Sequence, residues 1–144
     1  MSLSAEEREV MVTLEIERAT RIMNEVPIYV NAQLWNTLAN RLYYAAFHAV
    51  SAVFIKNEIP VKSHKGAILM FNRDYVKTGI VSKEDGILFS QLENLRESGD
   101  YNCYIETTEE QIIPFVTKTK DFIQKNENFD GAMIIFFVSK VKAI

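Results

Sequence analysis

The chain has 144 residues, enough for one domain that buries its own core without disulfides or a structural metal. Its 48% hydrophobic and 24% charged content, with a net charge of −3, is that of an ordinary soluble globular protein and excludes a disordered or collagen-like chain. The single cysteine, Cys103, allows no intrachain disulfide, and the longest apolar run, residues 132–138, is too short to span a bilayer. The segment after Met1, Ser2-Leu3-Ser4-Ala5-Glu6-Glu7, lacks the basic and then apolar pattern of a secretory signal, so a cytoplasmic protein is expected.

In chain order, Ser4-Ala5-Glu6-Glu7 reads as a capping box that opens a helix to about Glu25, just before Pro27. Val10, Leu14, Ala19 and Ile22 recur along it at roughly helical spacing. A second helix is predicted from about Ala32 to Lys56, with no internal Gly or Pro and apolar around most of its circumference, which makes it the central one. Asn57-Glu58-Ile59-Pro60 breaks the chain. A shorter helix follows from about Ser63 to Tyr75 and ends near Lys77-Thr78-Gly79. Ser82 opens the next, with Asp85 three residues on, and Gly99 is expected to end it. Thr108-Glu109-Glu110-Gln111 is a second capping box, and its helix is predicted to run to about Asn126, with Pro114 delaying the start or kinking it. Residues 131–144, rich in β-branched and aromatic side chains, stand apart as an apolar tail that favours an extended segment and calls for a cover.

Charge is distributed unevenly. Residues 1–40 hold three basic and six acidic side chains, residues 41–83 seven and two, and residues 84–144 six and eleven. The middle third is therefore the part suited to an anionic ligand such as a nucleotide or RNA, or else a set of solvated lysines balanced by acidic neighbours.

The segment Asn40-Arg41-Leu42-Tyr43-Tyr44-Ala45-Ala46-Phe47-His48-Ala49 holds an arginine and a histidine seven residues apart among apolar and aromatic side chains. Seven residues at about 100° each make roughly 700°, so Arg41 and His48 leave the helix on nearly the same side. Tyr43, Phe47, Val50 and Phe54 form a bulky stripe that reads as core, and Arg41, Tyr44, Ala45, His48 and Ala52 form a second, smaller one. The alanines there permit close approach, which predicts a homodimer through this stripe. Arg41 and His48 either form a satisfied structural network, Arg41 on a carboxylate and His48 on a backbone carbonyl, or carry chemistry. In the second case the imidazole moves a proton from a ribose 2′-hydroxyl and the guanidinium stabilises charge on the attacked phosphate.

Two further clusters qualify. Ser63-His64-Lys65-Gly66 puts His64 and Lys65 at a helix start, where free N–H groups favour anions, although an exposed solvated turn explains it as well. Arg96-Glu97-Ser98-Gly99-Asp100-Tyr101 reads as structural bracing, with Asp100 pairing Arg96 or reaching Arg41 and Tyr101 packing beside either. No Gly-rich phosphate loop is present, and two histidines with one cysteine at unrelated spacings argue against zinc, so no cofactor and no metal is expected.

Four pieces taken together carry a resemblance: Asn40 to Ala49, then Ser63 to Gly66, then Phe71 with Tyr75-Val76-Lys77-Thr78-Gly79, then Leu95-Arg96 with Asp100-Tyr101. In this order the chain resembles the HEPN domains (higher eukaryotes and prokaryotes nucleotide-binding), over about residues 4–127, in the prokaryotic branch with the R-x-Y-Y-A-A-F-H-A helix. The resemblance implies an all-α, antiparallel four- to five-helix up-and-down bundle over residues 1–130, followed by the short apolar tail at 131–144. It also implies a homodimer, a nucleotidyltransferase partner in a toxin–antitoxin-type system, and metal-independent RNase activity in many members through an Arg-x(4–6)-His motif. Arg41 and His48 fit that motif formally. In RNase members the motif sits on a later helix, and the later polar segment here has Asp100 but no histidine.

The expected function is a nucleotide- or RNA-binding module with Arg41, Tyr44, His48, His64 and Lys65 in a basic groove and no membrane association. The alternatives are an endoribonuclease using Arg41 and His48 as catalytic residues, and a structural helical dimer without ligand.

Overall fold

The computed structural model describes residues 3–60, 63–79, 81–104 and 106–127. Within them lie α1 (Ala5–Asn31), α2 (Trp35–Lys56), α3 (His64–Phe71) continued by one π-helical turn (Asn72–Val76), α4 (Lys83–Tyr101) and α5 (Glu109–Glu127). No described residue is in a strand, and the expected all-α bundle is what the described residues form. No described helix is long and apolar enough to cross a membrane. The apolar segment 131–144 lies outside the described residues.

The helix starts follow the capping chemistry. The Ser4 hydroxyl accepts from the Glu7 N–H while the Glu7 carboxylate accepts from the Ser4 N–H, and that exchange holds the Glu7 carboxyl below its ordinary range. Ser63 and Ser82 accept from the Gly66 and Asp85 N–H groups, and Thr108 and Gln111 complete the second box.

The ends depart from expectation in three places. α1 continues through Pro27 to Asn31, because Val26 is buried and Tyr29 and Val30 pack on the core, which offsets the bond lost at proline. It ends where Gln33 takes a positive φ of 56°, which delays α2 to Trp35. α4 does not end at Gly99. That glycine stays helical and lies against Asn36 of α2, whose Oδ1 a Cβ there would meet at 3.4 Å, and the helix runs on to Tyr101. α5 begins at Glu109 despite Pro114.

α2 is central, packed on α1, α4 and α5, with Leu38, Leu42, Tyr43, Val50, Val53 and Phe54 buried. The pairings Arg8–Glu58 (2.7 Å) and Glu15–His48 (2.5 Å) run α1 antiparallel to α2. Of the second stripe, through which a homodimer is expected, Ala45 and Ala52 are fully buried within the chain, whereas Arg41, Tyr44 and His48 are only partly buried. Of the bulky stripe, Tyr43, Val50 and Phe54 are core, whereas Phe47 is only half-buried and faces a groove.

Two buried phenols make the fold sensitive to alkali. Burial pushes the Tyr75 hydroxyl up to about 12, against the lowering effect of the Asn57 amide that donates to it at 2.9 Å. Burial, then the adjacent Glu93 carboxylate, raises Tyr43 further. Unfolded tyrosines ionise near pH 10 while these resist, so their contribution is complete below about pH 10 and falls as pH rises toward 12. The expected loss over that interval is about 1.4 kcal/mol per pH unit for each tyrosine. Urea midpoints at pH 8, 10 and 11.5 check this, and Tyr75→Phe should reduce the slope.

Candidate functional site

The Asn40–Ala49 segment lies in the middle of α2, and its polar side chains find partners on three other helices. On the α4 side, the Asn40 amide donates to Asp100 Oδ2 at 2.9 Å. The Arg41 guanidinium donates to Asn40 Oδ1 from Nε (3.0 Å) and Nη2 (2.8 Å) and lies 5.3 Å from the centre of the Tyr44 ring. Arg41 is thus held by an amide and an aromatic face, not by a carboxylate.

Arg96 reaches the same place from α4. It is buried, pairs with the buried Glu93 and stands 3.7 Å from Asp100. Its guanidinium also lies 4.9 Å from the Tyr43 ring, 5.8 Å from Tyr44 and 5.9 Å from Tyr101. Burial alone would lower its pKa, but the Glu93 carboxylate outweighs that and keeps it firmly charged. Arg96, Asp100 and Tyr101, read from sequence as bracing, therefore share one cluster with Arg41 and Tyr44, as the Asp100–Arg96 pairing anticipates. Tyr101 is 75% exposed, so the cluster opens to solvent on that side. The Tyr44 ring lies within 5.8 Å of two guanidinium groups, the half-buried Arg41 and the buried, carboxylate-paired Arg96, an aromatic surface with a cation at its edge of the kind that receives a base or a phosphate.

His48 and His64 also lie near Tyr44. The His48 ring is 6.5 Å from Tyr44, and its Nδ1 is bound to Glu15 Oε2 of α1 at 2.5 Å, so a carboxylate and not a backbone carbonyl answers it. The His64 ring is 5.6 Å from Tyr44 and 4.6 Å from Phe47, and its Nδ1 shares a 2.7 Å hydrogen bond with the Tyr43 hydroxyl. His64 is therefore docked and not part of a solvated turn, whereas Lys65 is exposed.

Beside His64 a cavity of about 460 Å³ opens between α1, α2 and the start of α3, walled by Phe47, Phe54, Ile55 and Ile59 with Glu15 and Ser51. Among the described residues, neither lysine nor arginine lines it. The five residues expected in one basic groove are thus divided: Arg41 and Tyr44 on the guanidinium–aromatic face, His64 on the cavity, His48 between them and Lys65 at an exposed helix start. Among the described residues no group of three His, Cys, Asp or Glu side chains gathers where a metal would sit.

The HEPN domain profile matches residues 13–128, which takes in the whole of this arrangement. The chain belongs to the HEPN family. Relatives are similar over most of the chain. A UPF0332 protein of Thermotoga maritima is 32% identical over 127 residues, covering 88% of this chain and 91% of its own. Two proteins of Methanocaldococcus jannaschii are also similar. "Putative toxin MJ0142" is 26% identical across 79% of this chain and 78% of its own, and "Putative toxin MJ0605" is 28% identical across 76% and 81%. The resemblance read from Asn40–Ala49 and the three later pieces is therefore a true family relationship.

Sequence reasoning passes over Glu15, Glu93 and the Tyr43 hydroxyl, although each anchors a residue of the candidate site. Glu15 stands in a helix with five other glutamates, and nothing in its spacing separates a paired carboxylate from a solvated one. Tyr43 reads as core, which it is, while its hydroxyl also orients His64.

Proposed function

We propose that this HEPN protein is the RNA- or nucleotide-binding component of a toxin–antitoxin-type system, binding through the face formed by Arg41, Tyr44, Arg96 and Tyr101. The observation that carries the reading is the placement of two guanidinium groups, 5.3 and 5.8 Å from one tyrosine ring, beside an exposed second tyrosine. Arg41, held by an amide and not by a carboxylate, supplies the cation that attracts a phosphate, the buried Arg96 holds the rings in place beneath it, and a tyrosine face accepts a base without a demand for sequence. The toxin names of two relatives support the system. Its partner, on this reading, is a small nucleotidyltransferase acting as antitoxin. The module works as a homodimer by a surface other than the α2 alanines, and its place is the cytoplasm.

Fluorescence anisotropy with a labelled single-stranded RNA tests the binding. Arg41→Ala should weaken it at least fivefold, since a stacking or phosphate contact contributes about 1–3 kcal/mol. The affinity of the wild type should also fall with added salt. Binding unchanged in Arg41→Ala, or none at micromolar protein, would overturn the reading.

A second reading, metal-independent RNA cleavage, is favoured by the Glu15–His48 pair, which fixes one nitrogen of the imidazole and leaves Nε2 to exchange a proton. Against it, the His48 side chain is only 16% exposed and lies outside the cavity lining. Cleavage of a mixed RNA pool in excess chelator, lost in both Arg41→Ala and His48→Ala, would establish this reading in place of binding alone.

A further inference from the structure

We propose that the cavity between α1, α2 and α3 is a pocket for a purine base of the guanine type, selected by Glu15. The inference rests on the nucleotide-binding reading and deepens it by assigning a base to a second location. The cavity volume, about 460 Å³, falls in the range of roughly 300–1,000 Å³ typical of small-ligand sites. Its walls divide by chemistry. The half-buried Phe47 supplies flat surface and Ile55 and Ile59 apolar surface above the buried Phe54, while Glu15, Ser51 and His64 supply the polar groups.

Glu15 decides the ligand. Its Oε2 is held by His48 at 2.5 Å, so the carboxylate is oriented before any ligand arrives, with Oε1 and the second lone pair of Oε2 left to accept. A carboxylate only accepts, so it calls for a neighbouring pair of N–H donors. The Watson–Crick edge of guanine presents such a pair at N1 and the 2-amino group. Adenine presents an acceptor at N1, which would set two acceptors against each other, and uracil offers one donor between two carbonyls. Phe47 is half-buried with its ring 4.6 Å from His64, which leaves part of its face for a base to stack on. Tyr44, whose ring meets His64 at 5.6 Å, connects the pocket to the guanidinium face, so the phosphate of a bound nucleotide has cations on that side.

The test is calorimetric titration of the full chain with guanosine, inosine and adenosine 5′-monophosphates. The guanosine nucleotide should bind at least tenfold more tightly than the adenosine nucleotide, with the inosine form, which lacks the 2-amino group, between them. Glu15→Gln should remove that difference. Because it also loosens His48, a second variant is needed: Ser51→Leu fills the cavity, leaves the Glu15–His48 pair in place, and should weaken the guanosine nucleotide at least tenfold while circular dichroism stays helical. Equal affinity for guanosine and adenosine nucleotides, a preference that survives Glu15→Gln, or tight binding in Ser51→Leu would each overturn the pocket. Should RNA still bind through Arg41 in that event, only the pocket falls. Absence of both nucleotide and RNA binding removes the pocket and the proposed function together.

Discussion

Replacing Arg96 by methionine is expected to destabilise the fold by about 3–5 kcal/mol, because it leaves the buried Glu93 carboxylate without its cation. The side chains of Arg96 and Glu93 are only 7% and 6% exposed, so water does little to compensate. Arg96 also lies over Tyr43, Tyr44 and Tyr101, and truncation strips contacts from three rings at once. The double variant Glu93→Leu/Arg96→Met should recover most of that loss, since two apolar side chains of similar size remove the charge together with its partner. Urea unfolding of the two single variants and the double variant measures the coupling. The recovered double variant also separates stability from function. If Arg96 serves only as a brace, its RNA affinity matches the wild type. If Arg96 also shapes the binding face, the double variant is folded and at least fivefold weaker, because one of the two guanidinium groups at Tyr44 is gone.

Phe89→Ala should be comparably damaging, at about 3–5 kcal/mol. Phe89 of α4 is fully buried, stacks on Tyr43 of α2 at 5.9 Å and 7°, meets Phe71 of α3 edge-on at 5.5 Å, and lies 6.5 Å from Phe122 of α5. One ring thus joins four helices, and its removal opens a cavity that none of them can close without shifting. Its effect should extend to the site. Tyr43, freed on one face, holds His64 through its hydroxyl, so the cavity at His64 should widen along with the loss of stability. Thermal unfolding, together with the ring proton shifts of His64, would check both parts. A loss below 1 kcal/mol would mean that the aromatic cluster is not the junction described.

Much of this protein is legible in its sequence. The capping signatures at Ser4, Ser82 and Thr108 located three helix starts because N-caps are local: a hydroxyl and an amide three residues apart satisfy each other whatever surrounds them. The family, too, was legible, since the Asn40–Ala49 helix and the three later pieces are short runs in a fixed order. Helix ends were less so. Pro27 and Gly99 are breakers by intrinsic preference, yet both remain helical, one carried by the packing of Val26 and its neighbours and the other pressed against Asn36.

What only the tertiary structure decided is which polar group answers which. Arg41 and His48, seven residues apart on one helix, read as a pair, but neighbouring helices draw them to different partners: Asn40 and Tyr44 for the first, Glu15 for the second. Arg96, 55 residues beyond Arg41 in sequence, comes to the same tyrosine ring. The alanines of α2, which could equally have faced another chain, are covered by the chain's own bundle. Periodicity along one helix says which side chains share a face, and the partner each meets there depends on the register of helices that are distant in sequence, which is set by the fit of the whole core.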